Sequence, residues 1–354
     1  YVICNADEGE PGTFKDRALL NGFIRMIVDG MTACGLTIGA AQGYIYLRHE
    51  YEFLRPRIER RLQRRRDVNL LGRNIMGRRG INFDIDIIMG AGSYVCGEES
   101  ALIESMEGKR GIPRIRPPFP VTHGYRGRPT VVNNVETFCY AAGIVAQGPS
   151  FVAHEGSEPC WKLLSISGDC KWPGLYEVPL GTAIRDIVDM CGAEDVQAVQ
   201  VGGPGGQLIS ADELDRNLSF DGCNTAGSFI IFNRSRDMLD VALNFTKFFM
   251  HESCGFCTPC RVGTKLMMQV ANKIAGGHGA RLDIEQMERL HHLMTQASHC
   301  GLGQSAAVPL LTTYQKFPES INRRMEDVEY QPAFDVDAAI ERSRQIVAEE
   351  VFSL

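Results

Sequence analysis

Three cysteines fall at Cys254, Cys257 and Cys260 in the stretch HESCGFCTPCR, and a fourth, Cys300, follows after 39 intervening residues in SHCGLGQ. Thiolate is the soft ligand that iron–sulfur clusters and zinc both take. A C-x2-C-x2-C run can wrap three ligands around one face of a compact centre, and a distant cysteine then closes the fourth corner. Structural zinc more often takes its ligands as two separate pairs, so the spacing favours a [4Fe–4S] cube, with zinc as the other reading. Gly255, Thr258 and Pro259 break regular structure between the ligands and would be poor neighbours in an ordinary core.

Two further stretches carry chemistry. NADEGEPGTFKDR, at 5 to 17, gathers Asp7, Glu8 and Glu10 beside Asn5 directly after a short apolar strand. The carboxyl end of a strand is where open α/β sheets bind ligands; the competing reading is a helix start decorated with acids that suit its dipole. FDIDIIM, at 83 to 89, reads as a strand entering a core, and GAGSYVCGEESALIESMEG after it reads as a glycine turn opening a helix. Free amides at such a helix start suit a nucleotide, but the spacing departs from G-x-G-x-x-G. Glu98 and Glu99 stand where a phosphate would be expected, which fits hydroxyls or amides better than phosphate oxygens. KRGIPRIRPPFP adds cations and an aromatic ring on a proline-rich loop, and VVNNVETF adds paired amides at Asn133 and Asn134.

The elements that must position these groups can be read in order. Tyr1–Cys4 and YIYL at 44 to 47 are strands flanking a helix over Leu19–Ala33, and the seven arginines of Arg55–Arg66 form the solvated face of a helix started by Pro56. From 161 to 233 short alternating runs with one helix near Thr182–Cys191 suggest a small β-grasp-like sheet, and GGPGG at 202 to 206 is a tight turn, since no Lys-Ser/Thr follows it. Met238–Met250, Val262–Ala275, Ile284–Ala297 and Gln304–Lys316 are amphipathic and make a four-helix bundle. The cysteine triplet lies in its first loop and Cys300 in its third, so antiparallel packing brings both to one end. The expected fold is an α/β ligand-binding domain at 1–158, a β-grasp-like α+β domain at 159–235, and an all-α four-helix bundle carrying an iron–sulfur cluster, with a C-terminal tail, at 236–354.

The 354 residues carry a net charge of -6, with 44% hydrophobic and 23% charged residues. Nucleic acid, which needs a basic face to release counterions, is excluded as a partner. No apolar run approaches a membrane span, and YVICNADEGE is no signal peptide, so membrane insertion is not expected and a cytoplasmic location is. Twelve cysteines without a disulfide framework divide into four ligands and eight buried thiols. The chain opens on a strand already in progress and without methionine, which suggests a longer N-terminal part.

NADEGEPGTFKDR, GAGSYVCGEESALIESMEG, PPFPVTHGYRGRPTVVNNVETF and ESCGFCTPCRVGT with SHCGLGQ together resemble the NADH-oxidising flavoprotein family that includes the 51-kDa subunit of respiratory complex I. Within it, GDCKWPGLYEVPLG and the tail PAFDVDAAIERSR are most similar to the diaphorase subunit of soluble NAD-reducing [NiFe] hydrogenases; NAD-dependent formate dehydrogenases carry a similar subunit. The resemblance implies that Asn5, Asp7, Glu8, Tyr94, Gly97, Glu98, Asn133 and Asn134 line FMN. It implies that Glu10, Glu99 and Phe119 touch NAD, and that Cys254, Cys257, Cys260 and Cys300 hold the [4Fe–4S] cluster. It implies as partners a small thioredoxin-like [2Fe–2S] subunit and further redox subunits, a hydrogenase first among them. The family's glycine-rich loop and lysine would lie upstream of Tyr1, and Arg116 stands where some relatives have lysine. The rival from another class is a zinc-stapled interaction module without redox chemistry.

Overall fold

The computed structural model describes residues 1–152, 160–332 and 336–352. The first sheet joins β1 (Val2–Ala6), β2 (Gln42–Leu47), β3 (Asp84–Met89) and β4 (Val131–Asn134) in the order β3-β2-β1-β4. All its pairings are parallel, with Asn5 in register with Tyr46 on one side and Asn134 on the other. Parallel strands need crossovers, and here α1 (Lys15–Gly22), α2 (Ile24–Ile38), α3 (Arg55–Asp67), α4 (Glu99–Met106) and α5 (Pro120–His123) lie between them, with α6 (Val135–Gln147) leaving β4 directly. Both faces are therefore buried. Val2, Cys4, Ala6, Ile45 and Leu47 pack under α2, α3 and α6, while Ile3 and Tyr46 on the opposite face join the core of α4 and the C-terminal helices.

The expected single helix over Leu19–Ala33 is two helices. They bend by 92° at Phe23, and the second runs on to Ile38, where Gly39 caps it in the left-handed region. Among the described residues no single helix is long and apolar enough to cross a membrane.

The second sheet contains β5 (Trp161–Gly168), β6 (Gly174–Pro179), β7 (Val196–Val201), β8 (Gln207–Ser210) and β9 (Ser228–Asn233) in the order β6-β5-β9-β7-β8, with β5 parallel to β9 and the other pairs antiparallel. A single helix, α7 (Ile184–Met190), covers its apolar face through Ile184, Ile187 and Val188. GGPGG makes the tight turn after β7, where Gly202 and Gly203 both take positive φ. A Cβ on Gly203 would fall 2.0 Å from a Glu10 carboxylate oxygen, so the turn also closes on the first acidic loop.

The helical part holds α8 (Met238–Glu252), α9 (Thr258–Ala275), α10 (Arg281–Ala297), α11 (Gly301–Ser305), α12 (Val308–Lys316), α13 (Pro318–Asn322) and α14 (Val336–Phe352). The expected fourth helix is broken: α11 starts just after Cys300 and stops after one turn, and the chain restarts at Val308 with Pro309 in a first turn that needs no amide donor. The boundary expected at 158/159 lies outside the described residues, as do residues 333–335 of the PAFDVDAAIERSR tail.

Candidate functional site

The carboxyl ends of β1 and β4, the 3-10 turn Tyr94–Gly97 and the start of α11 surround an open cleft of about 500 Å³. Asn5 pins its floor, donating from Nδ2 to the Gly97 carbonyl at 2.8 Å and accepting the Asp7 amide at 3.1 Å. Asp7 is left with Oδ2 buried and without a hydrogen-bond partner. Burial raises its pKa to about 7, against the pull of Arg48 and with Glu50 and Glu252 adding to the rise. Glu10 is also raised to about 7 by burial, which outweighs the bond it accepts from the Tyr94 hydroxyl. Tyr94 in turn is held by its amide on Glu252 Oε2 at 3.0 Å and by an edge contact with Phe248 at 5.0 Å.

The helix-start reading of the first acidic loop is right for Glu8. Glu8 lines the cleft, but its carboxylate turns inward, accepting the amides of Asp16 (2.8 Å) and Arg17 (3.1 Å) and the Tyr51 hydroxyl (2.9 Å). Glu98, not Glu99, caps α4, taking the Ser100 and Ala101 amides on Oε2 while Oε1 stays buried without a hydrogen bond.

Eight of the eleven expected cofactor residues line this cleft: Asn5, Asp7, Glu8, Glu10, Tyr94, Gly97, Glu98 and Asn134. Glu99, Phe119 and Asn133 do not. Glu99 pairs with Arg116 at 3.2 Å, and the Arg116 guanidinium lies 6.0 Å over the Phe119 ring, which is 52% exposed. Asn133 is in register with Cys4, so strand alternation sends it to the face opposite Asn5 and Asn134.

A buried cation at the back of the cleft is not among the residues expected from sequence. Lys15, 3% exposed, contacts Asp16 at 2.7 Å, Asn134 Oδ1 at 2.9 Å and Glu136 at 3.1 Å; Asn134 donates to Asp16 at 2.6 Å, and Lys162 of β5 also reaches Glu136. Burial opposes the charge on Glu136, but Lys15 and Lys162 together hold its pKa below the usual range. Lys15 and Asp16 sit inside the quoted acidic motif. Lys162 carried no signal, because its role exists only where the two sheets meet.

The four cysteines converge as their loops require. Cys254, Cys257, Cys260 and Cys300 line one small closed cavity with Ser253, Phe256, His299, Leu302, Val95 and Pro113. Cys257 and Cys300 occupy the residue before α9 and α11, so amide donors and positive dipole ends face the cavity. Gly303 packs closely behind Cys260: a Cβ there would sit 2.6 Å from Ser298 Oγ and 2.9 Å from Cys260 Cβ, and Ser298 Oγ is buried without a hydrogen-bond partner. Burial raises the Cys260 thiol to about 11, with Cys257, Cys300 and Cys254 adding to the rise, so the four sulfurs sense one another. Among the described residues, no three His, Cys, Asp or Glu side chains meet at a point suited to one ion.

The two chambers share a wall. Val95, Cys300 and Leu302 line both the cleft and the four-cysteine cavity. Of the other eight cysteines, five are buried as expected, while Cys34, Cys160 and Cys170 are only half-buried.

Comparison with known proteins agrees with this geometry. Residues 1–142 match the Nuo51 FMN-binding domain, and residues 240–324 match the NADH-ubiquinone oxidoreductase-F iron–sulfur binding region. The chain is 45% identical over 345 residues to the alpha subunit of the NAD-reducing hydrogenase HoxS of Cupriavidus necator, covering 96% of this chain and 57% of that protein. It is 37% identical to the F subunit of the NADH-quinone oxidoreductase of Escherichia coli, covering 90% of this chain and 75% of the relative. A crystal structure of an NAD+-reducing [NiFe]-hydrogenase in the H2-reduced state superposes with a TM-score of 0.90 at 43% identity, over 98% of this chain and 60% of that one. The chain thus spans a little over half the length of these hydrogenase relatives. With an FMN-binding domain and an iron–sulfur region meeting at one wall, the chain belongs to the flavoprotein family that holds the F subunit of NADH-quinone oxidoreductase and the alpha subunit of NAD-reducing hydrogenase.

Proposed function

We propose that this chain is an NADH:acceptor oxidoreductase, a diaphorase unit that passes electrons between NAD(H), FMN and a [4Fe–4S] cluster within an NAD-reducing hydrogenase. The observation that carries this reading is the wall common to both chambers, Val95, Cys300 and Leu302, which would leave a flavin in the cleft and a cluster in the cage a few side chains apart. Bound FMN supplies the exchange of a hydride with nicotinamide and of single electrons with the cluster.

The chain's own residues bind and orient. Asp7 Oδ2 and Glu98 Oε1, both buried and without a hydrogen bond, are acceptors suited to the hydroxyls and ring N–H of a flavin. Asn5, Glu8, Tyr94, Gly97 and Asn134 complete its lining, while Asn133, on the other face of β4, does not line it. Glu10, Glu99 and Phe119 are assigned to NAD, the last as an exposed ring free to stack on adenine. Cys254, Cys257, Cys260 and Cys300 are the cluster ligands.

We divide the chain at 1–158, 159–235 and 236–354. The strand order β6-β5-β9-β7-β8 supports a β-grasp-like middle unit, and α8, α9, α10 and α12 the bundle. The partners would be a small thioredoxin-like [2Fe–2S] subunit and a hydrogenase module, in the cytoplasm, where free cysteines persist. The equivalent subunit of respiratory complex I or formate dehydrogenase is the second reading; 45% identity to the hydrogenase subunit against 37% to the Escherichia coli F subunit favours the first. Cofactor analysis of the protein purified without oxygen tests the proposal: flavin with iron and acid-labile sulfide supports it, and colourless protein containing zinc overturns it.

A further inference from the structure

Ser253 ends α8 just before the first cysteine, and its Oγ lies 3.2 Å from Cys260 Sγ. The same oxygen accepts the Gly255 amide at 3.3 Å. That bond uses a lone pair and leaves the hydroxyl proton to be donated. A cysteine that ligates iron is a thiolate with no proton of its own, so the only hydrogen bond possible between the pair runs from Ser253 to Cys260. Both ends are held in place. The Ser253 amide is fixed on the Phe249 carbonyl at 3.1 Å, and the Cys260 carbonyl accepts the Thr264 hydroxyl at 2.8 Å inside the first turns of α9.

We propose that the Ser253 hydroxyl donates to the Cys260 thiolate and thereby sets the reduction potential of the cluster. The inference rests on the four-cysteine assignment made above. Hydrogen bonds to ligand sulfur are one of the protein's means of tuning such a centre, because a donor stabilises the more negative, reduced state. Ser253 is thus a positioning and tuning residue, and it needs no contact with NAD or flavin.

The test is a redox titration of the intact holoprotein followed by electron paramagnetic resonance, for wild type, Ser253→Ala and Ser253→Thr, with iron, sulfide and flavin measured on each. Ser253→Ala is expected to keep its iron but titrate at a lower potential, with the reduced-to-oxidised ratio at a fixed poise falling about threefold to tenfold. Ser253→Thr, which keeps the hydroxyl, is expected to restore the wild-type value. An unchanged potential in fully loaded Ser253→Ala overturns the proposal, as does loss of iron in Ser253→Ala, which would make the residue structural. A wild-type protein with no cluster signal would instead overturn the four-cysteine assignment.

Discussion

Arg116 Nη1 lies 3.2 Å from Glu99 Oε1 and 3.7 Å from Glu98 Oε1. One guanidinium therefore serves two adjacent carboxylates at the start of α4, and Phe119 lies under it. A carboxylate near an adenosine ribose accepts from its hydroxyls and repels a 2′-phosphate. Glu99→Gln removes that charge and frees Arg116 to meet a phosphate. The Glu99 side chain is partly exposed, so we expect a modest gain, about threefold to tenfold, in kcat/KM with NADPH relative to NADH. Flavin and iron contents should stay unchanged. Steady-state kinetics with both nucleotides checks this, and an unchanged ratio removes Glu99 from the nucleotide site.

Asp7 and Glu10 give the flavin-free protein a pH signature. Burial lifts both from ordinary values of 3.8 and 4.5 to about 7. The folded chain then holds protons that the unfolded chain has released, so this stabilising contribution is full below about pH 4 and lost as pH rises through about 7. Flavin-depleted protein should melt at lower temperature above about pH 7 than near pH 5, and Asp7→Asn should reduce that loss while changing little near pH 4. Calorimetry across this range decides it. Equal pH profiles for the two proteins would mean that Asp7 is ionised throughout.

Among the described pairs Lys15 alone reaches both Asp16 and Glu136, and Lys162 reaches Glu136 only. Removing one partner of a buried pair leaves an uncompensated charge, so Lys15→Met should cost about 3–5 kcal/mol in denaturant unfolding. In Lys15→Met with Glu136→Gln the loss should be smaller than the sum of the single losses. Strict additivity would argue that the two side chains act independently.

Much of the site was legible before the structure because its signals are local. The cysteine spacing and the loops it interrupts are read directly along the chain, and the structure gathers all four residues at one cavity. β1, β3 and α3 announce themselves by apolar runs and by Pro56. What stayed hidden depends on long-range contact. The bend at Phe23 between α1 and α2 leaves helical periodicity almost intact on both sides, so no pattern marks it. Lys162 meets Glu136 only because β5 docks against α6. That Glu98 caps α4 while Glu99 pairs with Arg116 turns on a shift of one residue in the start of α4, finer than propensity resolves.

Two cofactor chambers lie in one chain, divided by Cys300 and Leu302. Rapid anaerobic mixing with NADH, for wild type and Cys257→Ser, tests their roles most directly, with flavin absorbance and the cluster resonance followed together. In the wild type, NADH should bleach the flavin and then raise the reduced-cluster signal. In Cys257→Ser the flavin should still bleach while the cluster signal and most of the iron are absent, and the fold should be less stable because the two bundle loops are no longer tied. Full iron occupancy in Cys257→Ser, or a wild-type cluster that NADH cannot reduce while the flavin bleaches, would contradict this assignment of the two chambers.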